Sequence, residues 1–172
     1  IQHITKRFFS VIAVSVQAGN REVVSWTQPI LKHKDYGLIG FLTQEKNGVL
    51  HFLVCARMSP GTVGAIEIGP TVACSEASNK AKSKDAPFFL ELFLSIPKEQ
   101  ICYDTIQSEE GGRFYHFQNR YMIIELSPDS PLEFSNEFKW MTLGQILELV
   151  KHGYFNIEAR NLLSCLSLVE KD

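Results

Sequence analysis

No apolar run in this chain comes near the roughly 20 residues that a helix needs to span a bilayer. The longest, residues 88–96, is interrupted by Glu91, so a membrane protein is not expected. Charge of one sign is lacking too. Lys and Arg number 17 against 19 Asp and Glu, which leaves no basic footprint for a phosphate backbone and argues against nucleic acid as a partner. Nor does the chain have an acidic tail or the composition of a disordered segment. Its cysteines, Cys55, Cys74, Cys102 and Cys165, include no C-x-x-C pair, so no metal site of the zinc type is expected. No charged-then-apolar leader opens the sequence, which begins Ile1-Gln2-His3 without an initiator Met. The expectation is a cytoplasmic protein with reduced thiols, trimmed or cut from something longer. Serine-hydrolase, zinc-protease, calcium-loop and P-loop signatures are all missing, so those chemistries have no anchor.

What is present suits one domain over residues 1–172, of which 45% are hydrophobic, enough to bury a core without a disulfide or metal staple. Residues 8–16 are rich in β-branched and aromatic side chains. They lead through Gly19-Asn20 into a second apolar run, residues 21–31, and read as a strand, turn and strand. Residues 38–44 and 49–57 flank Asn47-Gly48, the strongest short-range hairpin signal. A further β run surrounds Pro70. Residues 75–86 are polar and read as an exposed loop or short helix. Residues 88–96 fit strand or helix equally, and residues 114–117 and 121–126 read as strand. The period then changes. Thr142 and Gln145 form a capping-box pattern ahead of Leu143, Ile146, Leu147 and Val150, with Gly153 as the stop. Asn156 caps a second helix with Ile157, Leu162, Leu163, Leu166 and Val169 inward. Strands first and helices last predict an α+β fold with a mixed, mostly antiparallel sheet and C-terminal helices.

Two clusters could carry chemistry. Residues 107–121 gather carboxylates, two arginines, a histidine and two tyrosines around Gly111-Gly112, and Arg57-Met58-Ser59-Pro60-Gly61-Thr62 leaves a strand. A solvated hairpin and a plain turn explain either one as well as a ligand site does.

The wording of the sequence adds more. Trp26-Thr27-Gln28-Pro29-Ile30, Gly37-Leu38-Ile39-Gly40-Phe41-Leu42 and Asn47-Gly48-Val49-Leu50-His51 follow one another in order. Met58-Ser59-Pro60-Gly61, Gly69-Pro70-Thr71-Val72, Ser78-Asn79 and Gln107-Ser108-Glu109 come next. Arg113-Phe114, Asn119-Arg120-Tyr121-Met122, Leu143-Gly144-Gln145 and the stretch from Ala159-Arg160 to Cys165 complete the set. As an ordered set they resemble the nucleoside-diphosphate-hexose 2,3-dehydratase family over nearly the whole chain. The chain departs from the family's wording at Cys55-Ala56-Arg57, at Ser59 and Thr62, and at Ala73-Cys74-Ser75.

The resemblance implies a Nudix-like α+β fold, here without the Nudix metal-binding signature. It also implies a dTDP-4-keto-6-deoxyhexose as substrate, with loss of its C2 hydroxyl as water and no dedicated cofactor. Such chemistry needs a base for the C3 proton, donors for the C4 oxygen, an acid for the leaving hydroxyl and arginines for the diphosphate. Arg113 and Arg120 fit the diphosphate or oxyanion, Trp26 fits thymine stacking, and Gln28, Ser78 and Asn79 fit polar recognition. Met58, Pro60, Gly61, Gln107 and Ser108, within the matched strings, join them as substrate-binding candidates, as does Thr62 beside them. Acids and bases are available in Glu109, Tyr115, Tyr121 and His116. Glu109, Tyr115 and Tyr121 are carried as unranked catalytic candidates, and His116 is not. His51 reads as a packed strand residue. Family members run to more than twice this length in two similar halves, so a two-fold homodimer is expected of a single half. A non-catalytic nucleotide-sugar-binding module, or a dimerisation module of the same fold, is the alternative.

Overall fold

The structure, a computed structural model, describes residues 9–75 and 86–168. A two-stranded antiparallel ribbon comes first, β1 (Phe9–Gln17) with β2 (Ser25–His33). The main sheet follows. β3 (Gly37–Lys46) and β4 (Val49–Arg57) form the expected hairpin, turning on Asn47 and Gly48, both at positive φ (52° and 77°). Only a turn of that hand matches the strands' twist, hence the Asn-Gly pair.

β5 (Glu67–Gly69) and β6 (Val72–Cys74) flank Pro70 and pair with β4 and β3 respectively. β7 (Ile101–Ser108) pairs antiparallel with β8 (Gln118–Leu126), and β9 (Phe138–Thr142) with β4. The pair β3·β8 is parallel, which makes the sheet mixed and mostly antiparallel. Helix α1 (Leu90–Ser95) covers one face. On the other face lie α2 (Leu143–Lys151) and α3 (Ile157–Ser164).

Alternation along the strands sorts the core into two layers. Leu38, Leu42, Leu53, Met122 and Ile124 face α1. Ile39, Phe41, Phe52, Tyr121 and Ile123 face α2 and α3. A strand buried on both faces reads as a continuous apolar run, as β3 does from Gly37 to Leu42, with burial continuing to Gln44. Gln44, buried within it, donates to the carbonyls of Ser127, Pro128 and Ser130 and so ties down the loop after β8.

The helix ends follow their sequence signals. Thr142 Oγ1 accepts from Gln145 N, and Gln145 Oε1 accepts from Thr142 N. Gly153 follows α2 at φ 74°, and Asn156 Oδ1 accepts from Ala159 N. Residues 88–96 resolve as helix because Leu90 and Phe93, three apart, are its buried face.

Several expectations change. Residues 114–117 are not a strand: Phe114 makes a single bridge to Leu31, and His116 sits at φ 51°, which breaks extended backbone. β7 and β9 carry little alternation and escaped the pattern. Of the two helical stripes, Ile146 and Leu162 are buried, but Leu143, Leu147 and Ile157 are exposed. Val169 and the loop proposed for residues 75–86 lie outside the described residues, apart from Ser75 and Ala86. Among the described residues no helix is long and apolar enough to cross a membrane.

Candidate functional site

Period 2 carries the face of β7 from Gln107 to Glu109, just past the strand end, and the face of β8 through Asn119 and Tyr121. These two strands are neighbours, paired Gln107↔Asn119, so Glu109, Asn119 and Tyr121 converge beside α3. Together they line an open cleft of about 350 Å³ with Arg113 from the 109–117 loop and Asn161 and Glu158 from α3. Tyr121 donates its hydroxyl to Glu109 Oε1 at 3.0 Å. Asn119 Nδ2 donates to the same oxygen in a short hydrogen bond. Tyr121 is 4% exposed, and burial, then the Glu109 charge, pushes its phenol up to about 12 against hydrogen bonds from Asn161 and Asn119 that pull it down. At neutral pH Tyr121 is therefore an uncharged donor, not a base.

The raised phenol has a stability consequence. A group whose pKa is higher folded than unfolded keeps its contribution below the unfolded value and loses it as pH rises toward the folded one. Stability is expected to fall between the ordinary 10 and about 12. The Cys102 thiol, pushed up to about 11 by burial and by Glu125, adds to the same trend. Urea melts between pH 9 and 12 should show a shallower decline in Tyr121→Phe than in the wild type. An equal slope would mean the phenol does not set it.

Arg113 stands at the rim, its side chain 70% exposed and loosely paired at 3.8 Å with Glu110. It is free to take an anionic group. The loop that carries it is anchored to the ribbon: Leu31 N donates to Arg113 O at 3.0 Å, and Tyr115 N to Leu31 O at 2.7 Å. Across that loop lies a second cleft of about 530 Å³, with Trp26, Gln28 and Gly112 on its wall. Trp26 Nε1 donates to Gln28 Oε1 at 2.7 Å, and Gln28 Nε2 to the Gly112 carbonyl at 2.6 Å. The 109–117 loop thus borders both clefts.

Other candidates stand apart. Arg120, next to Tyr121 in sequence, points to the opposite face of the sheet. There it makes a bidentate pair with Asp104, at 2.7 Å and 2.5 Å, and lines a different cleft with Lys98. Two arginines acting on one diphosphate is therefore not the arrangement within this chain. Tyr115 stacks on His116 at 4.2 Å between ring centroids, and neither lines the Glu109 cleft. Gln107 shares the Glu109 face but gives its amide to Tyr103 Oη and Cys165 Sγ. Ser108 is exposed at the end of β7. Met58 lines a cleft beside Arg57 and Glu137, and Pro60, Gly61 and Thr62 belong to the same β4–β5 loop. Thr62 Oγ1 is used there on the Ser59 and Gly64 carbonyls. Ser78 and Asn79 lie outside the described residues. Of the departures from the family wording, Ala73, Cys74 and Ser75 line the Glu109 cleft, while residues 55–62 do not.

Asn119, Asn161 and Glu158 were missed as site residues. Alternation from Tyr121 back to Asn119 could have found the first. The α3 pair escaped because Ile157 was read as inward, which turns that helix face the wrong way.

A family model described as NDP-hexose 2,3-dehydratase matches residues 1–166. A dTDP-4-dehydro-6-deoxy-alpha-D-glucopyranose 2,3-dehydratase of Saccharopolyspora spinosa is 48% identical over 168 residues, 96% of this chain and 35% of its own length. Proteins of the same name from Streptomyces violaceoruber and Amycolatopsis orientalis are 41% and 39% identical, with 37% and 36% of their lengths covered. The chain spans about a third of the length of these curated relatives. Among solved structures, the Nudix hydrolase RenU from M. smegmatis is similar at a TM-score of 0.48 and 12% identity, over 92% of this chain and 98% of that one. C. elegans Ap4A hydrolase is similar at 0.46 and 15% identity, over 81% of this chain and 97% of that one. With the family model matching nearly end to end, the chain belongs to the NDP-hexose 2,3-dehydratase family.

Proposed function

We propose that this domain binds a dTDP-4-keto-6-deoxyhexose and eliminates its C2 hydroxyl as water. The observation that carries the reading is the Glu109 carboxylate on the wall of an open cleft, held on one oxygen by Tyr121 and Asn119. Glu109 takes the C3 proton, which the C4 ketone acidifies, and the C3–H electron pair moves into an enolate with its charge on the C4 oxygen. That pair then forms the C2=C3 bond as the C2–O bond breaks, and the departing hydroxide takes a proton from solvent in the open cleft and leaves as water. The enol at C3 tautomerises to a 3,4-diketo-2,6-dideoxy sugar. Arg113 takes the diphosphate, because a guanidinium matches phosphate oxygens in a fork. The Trp26 cleft across the loop takes the thymine, whose ring stacks on an indole face.

The test is incubation of the purified protein with dTDP-4-keto-6-deoxyglucose, trapping the diketone with a reductase. Water loss is expected, and none alongside an active relative overturns the reading. Binding of dTDP without water loss would instead favour a nucleotide-sugar-binding module. Arg113→Ala is expected to weaken dTDP about tenfold to a hundredfold, the scale of a lost charge-assisted hydrogen-bond pair, read by calorimetry. An unchanged affinity would remove Arg113 from the diphosphate.

The domain is further taken to pair with a second copy across a two-fold axis. The exposed Leu143 and Leu147 of α2 are the apolar surface that supports this. A monomer by light scattering at micromolar concentration overturns it. Cys55, Cys74, Cys102 and Cys165 are not joined in disulfides, which fits a reducing, cytoplasmic setting.

A further inference from the structure

Five polar side chains are buried among the described residues: Thr43, Gln44, Thr71, Asn119 and Asn156. Four of them serve the backbone. Thr43 and Thr71 donate to strand carbonyls, Gln44 holds a loop, and Asn156 caps α3. Asn119 alone gives its amide to a side chain, the Glu109 carboxylate on the cleft wall. A buried carboxamide is costly unless its hydrogen bonds are made, and a purely structural position on β8 would suit an apolar residue better.

Its seat is built into the neighbouring strand. The parallel register of β3 and β8 places Gly37 directly across from Asn119. A Cβ at Gly37 would lie 1.9 Å from Asn119 Oδ1 and 2.8 Å from the Cys74 carbonyl oxygen. Glycine is required there by space rather than by a positive φ. The missing side chain is the slot in which the carboxamide lies.

With Asn119 and Tyr121 both on Oε1, Oε1 is occupied and Oε2 is the oxygen left to the cleft. We propose that Asn119, seated against Gly37, is a positioning residue that holds Oε1 of Glu109 and leaves Oε2 to meet the substrate's C3 hydrogen. This rests on the dehydratase reading for the identity of the substrate, but the positioning of Glu109 stands apart from it. A carboxylate held by one oxygen keeps the other aimed, and a misplacement of about 1 Å at a reacting group costs about 10²-fold in rate. Other groups line the same cleft: Glu110 and Arg113 on the loop, Tyr121 on β8 and Glu158 on α3. All stay in place in the variants below.

The experiment compares Asn119→Asp and Asn119→Ala with the wild type. Expected are a kcat lower by about tenfold or more with KM within about twofold. The Asp variant should lose more, because an ionised carboxylate cannot donate to Glu109 as the amide does. A second readout needs no turnover: the Glu109 carboxyl carbon, labelled with 13C and assigned through Glu109→Gln, should change its chemical shift at one fixed pH in both variants, because the donor to Oε1 is lost. A wild type with no turnover defeats the dehydratase reading while the carboxyl readout still judges Asn119. If Asn119→Asp fails to fold, Asn119→Ala decides alone. An unchanged kcat and carboxyl signal in the folded variants overturn the proposal.

Discussion

On the proposed reading, Glu109→Gln is expected to lower kcat for water loss from the 4-keto-6-deoxy nucleotide sugar on the order of 10²–10⁴-fold, the usual worth of a positioned general base. The substitution keeps the shape of the side chain. Its amide still accepts from Tyr121 and Asn119 through Oε1, where those donors lie. Folding and dTDP affinity should therefore be close to wild type, and the loss should appear in kcat alone. Exchange of the C3 hydrogen with deuterated solvent is a sharper assay, because it reads proton removal before elimination. Glu109→Gln should lose exchange and elimination together. Retained exchange with lost elimination would give proton removal to another group and leave Glu109 as the acid for the leaving hydroxyl.

Phe93→Ala destabilises the domain by about 3–5 kcal/mol, the range for emptying a large aromatic site in a core. In a chain of this size that lowers the melting temperature by roughly 6–20 °C. Phe93 is 1% exposed and packs from α1 onto β3 at Gly40. A Cβ at Gly40 would meet the ring at 2.2 Å, closer than any relaxed contact. Gly40→Ala is thus expected to cost about 1–3 kcal/mol by overpacking. In the double variant the added methyl meets empty space, so its cost should be less than the sum of the singles. Strict additivity in denaturant melts would show that the ring and the glycine are not in contact.

How legible the molecule is in its sequence depends on how local each signal is. The Asn47-Gly48 hairpin, the Thr142–Gln145 capping box and the Gly153 stop are each decided within a few residues, and all are present as read. β7 was not read because its edge position leaves Asp104, Thr105 and Ile106 exposed, which erases the alternation of a half-buried strand. The site divides along the same line. Glu109 and Tyr121 were named from a dense cluster, and the structure joins them. Arg120 was grouped with Arg113 by nearness in sequence, yet in a strand successive side chains point to opposite faces. Gly37 could not be read at all from its own neighbourhood, since its reason lies on another strand.

That separation governs how the site comes into being. Thr43 and Ile124, bonded across the β3·β8 pair, lie 81 residues apart in the chain, and Gly37 meets Asn119 through the same register. Parallel pairing over such a span closes a long loop before any contact repays it, so it belongs to the slow part of folding. The hairpin β3–β4 and the capped helices can form early and alone, but the slot for Asn119 cannot. A collapsed intermediate would thus hold most of its helices and its first hairpin while Glu109 swings free, its carboxylate not yet aimed. Competence to bind and turn over ligand would then appear late in refolding, in step with burial of Tyr121 rather than with the early gain of helix.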